Sequence, residues 1–293
     1  MESSFTRPSQ RNFAVASAAT LLAAALLAAL SIAGLSAADE LYGDDAQTVR
    51  WFRGWDAANL LVGLPILLGT LWLARRGSLA GVLLWPGALF YVAYTYALYA
   101  IGTPLNALFL AYAALVVLSA YTVIDIVACL DGRAIRQRLA HTPARLVGGV
   151  LAGIGVLATA ALTVPVVTTL TGSTAYDPLL HAEWIVDYLL GNPVLLLGGV
   201  LLWRRQALGY AVAAGLLFLS GANGVAFAVS GIAGALLAGA AIDTLVIAVH
   251  LLIAAVSFAV LAAFLGGSAL PRRRRVALPL RDPAGGRRKG GAS

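Results

Sequence analysis

The sequence predicts an all-α fold, a polytopic membrane helical bundle of about eight transmembrane helices set out as two parallel four-helix repeats. Three observations carry that expectation. Hydrophobic residues make up 60% of the chain and charged residues only 11%, against roughly half and a quarter in soluble domains. The apolar residues fall in runs near the roughly 20 needed to cross a hydrocarbon core about 30 Å thick. The third is a segment present twice: residues 59–79, NLLVGLPILLGTLWLARRGSL, and residues 187–208, DYLLGNPVLLLGGVLLWRRQAL. With a one-residue insertion, Gly63, Pro65, Gly69 and Arg75–Arg76 fall on Gly191, Pro193, Gly198 and Arg204–Arg205.

Taken in order, the spans are expected at 13–35, 57–74, 79–100, 105–128, 146–169, 186–203, 207–230 and 241–266. The chain divides into a first repeat over 1–128, a cytoplasmic linker over 129–145, a second repeat over 146–267 and a disordered basic tail over 268–293. Short polar or Gly/Pro-containing links join antiparallel neighbours. Residues 36–55 form the longest link, and Trp51, Phe52 and Trp55 suit it to an interfacial helix with its aromatics at headgroup level. Its counterpart is 171–185. Ser36-Ala37-Ala38 resembles a signal-peptidase site, but the apolar run before it exceeds twenty residues. Cleavable segments have 7–15, so span one is expected to remain.

Charge sets the orientation. Arg7 and Arg11, Arg75–Arg76, the group Arg133, Arg136, Arg138 and Arg145, Arg204–Arg205, and Arg272 to Arg275 all lie on one side of an eight-span chain. The opposite links hold Asp39, Glu40, Asp44, Asp45, Asp177 and Glu183, with Arg50 and Arg53 the only cations. Cationic loops stay cytoplasmic, so both termini are expected inside, in the plasma membrane. The net charge of +7 therefore does not imply nucleic acid, because no basic helix interleaved with stacking aromatics is present.

Each proposed repeat has an even number of spans, so the two are parallel and related by an axis along the membrane normal. The order of span, outer link, span with an early polar residue, basic turn and small-residue span, best seen in DYLLGNPVLLLGGVLLWRRQALGYAVAAGLL, resembles DoxX-like four-helix membrane proteins. That resemblance implies a redox- or lipid-related role as an enzyme or redox-partner subunit. Asp187 and Asn59 stand where the family has an acidic residue, and Asn59 departs from it.

Several chemistries are excluded. Cys129 is the only cysteine, so no intramolecular disulfide or thiolate cluster forms. Lys289 lies outside every span, which removes an intramembrane Schiff base, and a single intramembrane histidine removes bis-histidine haem. No HExxH, GxSxG, Walker A or Rossmann pattern stands in a suitable context. The sequence specifies no cofactor. His181, Glu183 and Asp187 have spacings that would permit a metal, but no second histidine supports one.

Polar groups inside a span are costly and mark function by default. His250 lies seven residues beyond Asp243, two turns along one face. Asp243 also suits a helix N-terminus. Asn223 lies in span seven; Tyr91 and Tyr94 face protein, while Tyr96 and Tyr99 fit an aromatic belt. Asn59, Tyr91, Tyr94, Asp187, Asn223, Asp243 and His250 are thus the candidate ligand-binding residues, all in the outer half of the bundle. They predict a transporter-like or solute- or lipophile-binding protein with a polar cavity open to the extracytoplasmic side. The alternatives are the DoxX-like role and a structural subunit. Expected partners are the lipid bilayer, a small-molecule or lipophilic ligand, and a membrane-protein partner or a second copy.

Overall fold

The computed structural model describes residues 10–266; Arg7, Arg272 to Arg275, Lys289 and the tail lie outside them. Within the described residues every regular element is helical and no strand occurs. Eight helices are long and apolar enough to cross a membrane. In order, α1 (Gln10–Ser36) leads through the short α2 (Ala38–Tyr42) to α3 (Ala46–Ala58) and α4 (Leu64–Arg75). Next come α5 (Leu79–Gly102), α6 (Phe109–Cys129), the short α7 (Gly132–Arg138) and α8 (Ala144–Leu170). The chain continues through α9 (Pro178–Val186) and α10 (Asn192–Trp203) to α11 (Ala207–Ala238) and α12 (Thr244–Gly266).

Two of the eight spans are compound. α3 and α4 run as one helix over Ala46–Arg75, joined by a π-helical turn at Asn59–Gly63; α9 and α10 do the same through Asp187–Gly191. Each wide turn has a local cause. Pro65 and Pro193 carry no N–H, and in an α-helix their rings would press on the carbonyls of Leu61 and Leu189, four residues earlier. Opening the turn relieves that pressure. The donors just before the prolines, Leu64 and Asn192, reach back five residues to the carbonyls of Asn59 and Asp187.

This corrects the sequence expectation for 36–55. α3 is not a separate interfacial helix but the first half of a span. Phe52 and Trp55 are 1% exposed, because α5 and α11 offer them rings to pack on. Phe52 lies 4.9 Å from Tyr99 and Trp55 4.8 Å from Phe227, centroid to centroid. Tyr96 and Tyr99 are likewise buried and stacked at 5.1 Å, so they belong to the core and not to a lipid-facing belt.

α5 and α11 form the centre. Their most apolar windows are 78% and 67% buried, against 11% for α8 and 17% for α12, whose outer faces are left for lipid or a partner. The two central helices cross at Gly87 and Gly215, where a Cβ on Gly87 would overlap the Gly215 carbonyl. Small residues at crossings are how membrane helices gain contact, since lipid leaves little hydrophobic drive between them. α6 lies along α5 and α12 along α11, while α3 rides on α11 and α9 on α5.

The turns after the compound spans also correspond. Arg76 (φ −75, ψ 0) and Arg204 (φ −75, ψ 3) end α4 and α10. Gly77 and Arg205 follow with φ of +76 and +54. Gly81 and Gly209 then pack on the backbones of Leu73–Ala74 and Leu201–Leu202. All these pairs keep the separation between Asn59 and Asp187. At that separation Arg76 corresponds in position to Arg204 and Gly69 to Leu197.

Candidate functional site

The turns at Arg75–Arg76, Arg133 to Arg145 and Arg204–Arg205 lie at one end of the bundle, here the basic end. α2, the start of α3 and the start of α12 lie at the other, the acidic end, with Asp39, Glu40, Asp44, Asp45 and Asp243. Asp45 opens α3 by accepting from the Thr48 hydroxyl at 2.6 Å and the Thr48 amide at 2.8 Å. Those bonds hold its exposed carboxyl below the usual carboxylate range.

Nearly three turns into α3 from that end stands Asp56, fully buried. Tyr42 donates to its Oδ2 at 2.6 Å and Tyr99 to its Oδ1 at 2.8 Å. Three elements meet to build this cluster: α2 supplies Tyr42, α3 supplies Asp56 and α5 supplies Tyr99. A fourth leaves room for it, because a Cβ on Gly34 of α1 would overlap both Asp56 Oδ2 and the Tyr42 hydroxyl. Tyr112 packs 5.4 Å from Tyr99 at the edge of this cluster. Tyr96 shares a bond with Ser31 at 3.1 Å and donates to the Leu27 carbonyl at 3.2 Å. Burial, and then the Asp56 carboxylate beside it, hold the Tyr42 hydroxyl protonated well above the ordinary tyrosine range.

The wide turns make two further polar contacts, both to α5. Tyr91 donates to Asn59 Oδ1 at 3.1 Å, and Tyr94 donates to Asp187 Oδ1 at 2.8 Å. Gly63 and Gly191 clear the space, since a Cβ would stand 2.8 Å from the Tyr91 ring at the first and 2.7 Å from Asp187 Oδ1 at the second. The Gly and Pro that make the two segments alike thus have separate tasks. The proline widens the turn and the glycine admits a tyrosine or the carboxylate. Asn59 Nδ2 and Asn192 Nδ2 are enclosed without a hydrogen-bond partner; buried polar groups are seldom left so.

The structure thus joins four candidate residues in two pairs, Asn59 with Tyr91 and Asp187 with Tyr94. It does not join the other three. Asp243 is exposed and caps α12 through the Val246 amide at 3.1 Å. His250 bonds through Nδ1 to its own helix at the Val246 carbonyl, 2.8 Å away, and stacks on Phe227 at 4.4 Å. Asn223 Oδ1 is enclosed without a partner. In the second outer link His181 pairs with the Tyr176 hydroxyl at 2.7 Å. No group of three His, Cys, Asp or Glu side chains suited to a metal occurs among the described residues.

A groove of about 500 Å³ opens at the acidic end between α2, α3 and α11. Asp39 and Asp44 line one part, Arg50 and Arg53 another, and Gly234, Leu237 and Ala238 of α11 close the side. Its volume lies within the range of small-molecule sites. Arg50, Arg53, Asp56 and Asn59 follow at three-residue intervals, a polar strip that winds around α3 from the groove towards the core. The Arg53 Nε is enclosed without a partner.

Asp56 lies one residue before the expected start of the second span, and Arg50 and Arg53 read from the sequence only as cations of an outer link. That 46–64 holds no proline and no polar run to end a helix is the signal that places all three on one continuous span. Comparison with family models, with curated proteins and with solved structures gives no match.

Proposed function

We propose that this multi-pass membrane protein is a transporter-like binder of a small solute or lipophile, which it takes up in the charge-lined groove between α2, α3 and α11. The observation that carries this reading is the position of that groove directly above an enclosed carboxylate. Arg53 lines the groove, and Asp56 lies one helical turn further along the same helix. An acidic group held within a span at a cost in solvation is retained where a ligand or coupled ion uses it. In this reading Arg50 and Arg53 receive the ligand, and Asp56 with Tyr42 and Tyr99 responds to it. Asn59 and Tyr91 extend the polar strip inward.

The arginine-bearing turns support a plasma-membrane orientation with both termini cytoplasmic and the groove outside. Duplication of a four-helix unit is supported by contacts that interchange between the halves. Gly54 of α3 meets Ser230 of α11, while Ala182 of α9 meets Gly102 of α5. Residues 54 and 182, and residues 102 and 230, are separated as Asn59 is from Asp187.

The test uses the full chain in lipid nanodiscs, with mass spectrometry of retained small molecules. Leu237→Trp places an indole in the groove from an exposed position, so it leaves the core intact. A retained species that falls about tenfold in the variant, the loss of one good anchor, supports the reading. Unchanged retention, or a quinone or haem held equally by both proteins, overturns it; the latter favours a DoxX-like redox role.

A further inference from the structure

We infer that the groove takes a zwitterionic phosphate–ammonium group, of the kind carried by phosphoethanolamine lipids. This deepens the proposed binding role and rests on it. The argument begins with charge. Asp39, Asp44, Arg50 and Arg53 line one groove of about 500 Å³, and opposite charges so close would ordinarily pair. Among the described residues none of these four side chains forms an ion pair or hydrogen bond with another. Two cations and two anions held apart across one space are complementary to a ligand with both signs of charge, not to a simple anion or cation.

Geometry assigns the ends. Arg50 and Arg53 are three residues apart on α3, neighbours on one helix face. Two guanidinium forks offer paired N–H donors, the geometry suited to phosphate oxygens. The Arg53 Nε is enclosed and unpartnered, so a donor is already desolvated for that task. Asp39 and Asp44 accept only, which suits a primary ammonium with its three donors. A quaternary ammonium has no N–H to give them.

The third wall says what the zwitterion is attached to. Gly234, Leu237 and Ala238 line the groove from α11, and Leu237 is nonetheless 46% exposed. Leu236 beside it is 69% exposed. The groove therefore opens sideways onto apolar helix surface at the end where aromatic and charged residues meet the membrane boundary. A free solute makes no use of that surface, whereas acyl chains would lie along it.

The experiment reconstitutes the full chain in nanodiscs of phosphatidylcholine with a minor share of phosphatidylethanolamine or phosphatidylglycerol. Lipid retained after delipidation is counted by mass spectrometry. Soluble O-phosphoethanolamine as competitor separates a headgroup ligand from a lipid ligand, and either source satisfies the inference. The expected result is retention of the ethanolamine lipid about tenfold above the glycerol lipid, the size of one charge-assisted bond. Arg53→Gln should lower that retention about tenfold. Asp39→Asn with Asp44→Asn should erase the preference without abolishing binding. Thermal melting of each variant confirms folding, and Leu237→Trp provides a second block that leaves the charges alone. Equal retention of both lipids by wild type overturns the zwitterion while leaving the groove as a site. Retention that no groove variant alters overturns both.

Discussion

At the scale of single residues, Asp56 decides how the acidic end is held. Two tyrosine hydroxyls depend on its carboxylate, and a buried hydroxyl that loses its acceptor costs about 1–3 kcal/mol. Asp56→Ala should therefore lower the melting temperature clearly in detergent. Asp56→Asn keeps one acceptor oxygen and should melt closer to wild type. If Asp56→Ala melts with wild type, the cluster does not hold the acidic end together. Gly34→Ala should resemble Asp56→Ala, because its methyl would occupy the space of the carboxylate and the Tyr42 hydroxyl. The sequence reading reached Tyr91, Tyr94, Asn59 and Asp187 as residues but not as pairs. Their partners lie on α5, up to 93 positions away in sequence, and no local pattern encodes which tyrosine meets which turn. His250 drew notice as the lone histidine of a span, yet its bond to Val246 and its stacking on Phe227 occupy Nδ1 and one face of the ring.

At the scale of elements, the apolar runs made the eight spans legible, and their ends were legible where caps or glycines mark them. α5 begins at the Ser78 cap, whose hydroxyl accepts from the Gly81 amide at 3.4 Å, and α11 ends at Gly239 with a left-handed φ of +61. The starts of the second and sixth spans were not legible. The aromatic face of α3 reads as interfacial from composition, and only the presence of Tyr99 and Phe227 on neighbouring helices turns it inward. Pro65 is accommodated by the wide turn just before it. Pro65→Ala should allow that turn to tighten, and slower hydrogen exchange at residues 61–65 would register it. Exchange unchanged from wild type would mean that the contact between Asn59 and Tyr91, and not the proline, holds the turn open.

At the scale of the whole molecule, the chain hangs on two central helices meeting at Gly87 and Gly215. Gly87→Ala places a methyl against a backbone carbonyl, and such overpacking costs roughly 1–3 kcal/mol. A fall in the folded fraction extracted from membranes should report it. Gly69→Ala, with open space around its Cβ position, is the matched control and should be neutral. Bundle class and the grouping of arginines were readable from composition alone, since both follow from the bilayer as solvent. The groove was not, because its walls come from residues near 40, 50 and 237, and their meeting depends on α3 riding along α11. The wide turns have a further consequence for how the chain tolerates change in length. A π-helical turn holds one residue more than the rise of a regular helix needs, so each compound span stores a spare position. Deleting Val62 in a Pro65→Ala chain, where no ring opposes a regular turn, should draw on that reserve and leave α4 facing as it does now. Deleting Leu68, inside α4, would swing every later side chain of that helix by about 100°. The two turns are thus the places where these long spans can lose a residue without turning their buried faces towards lipid.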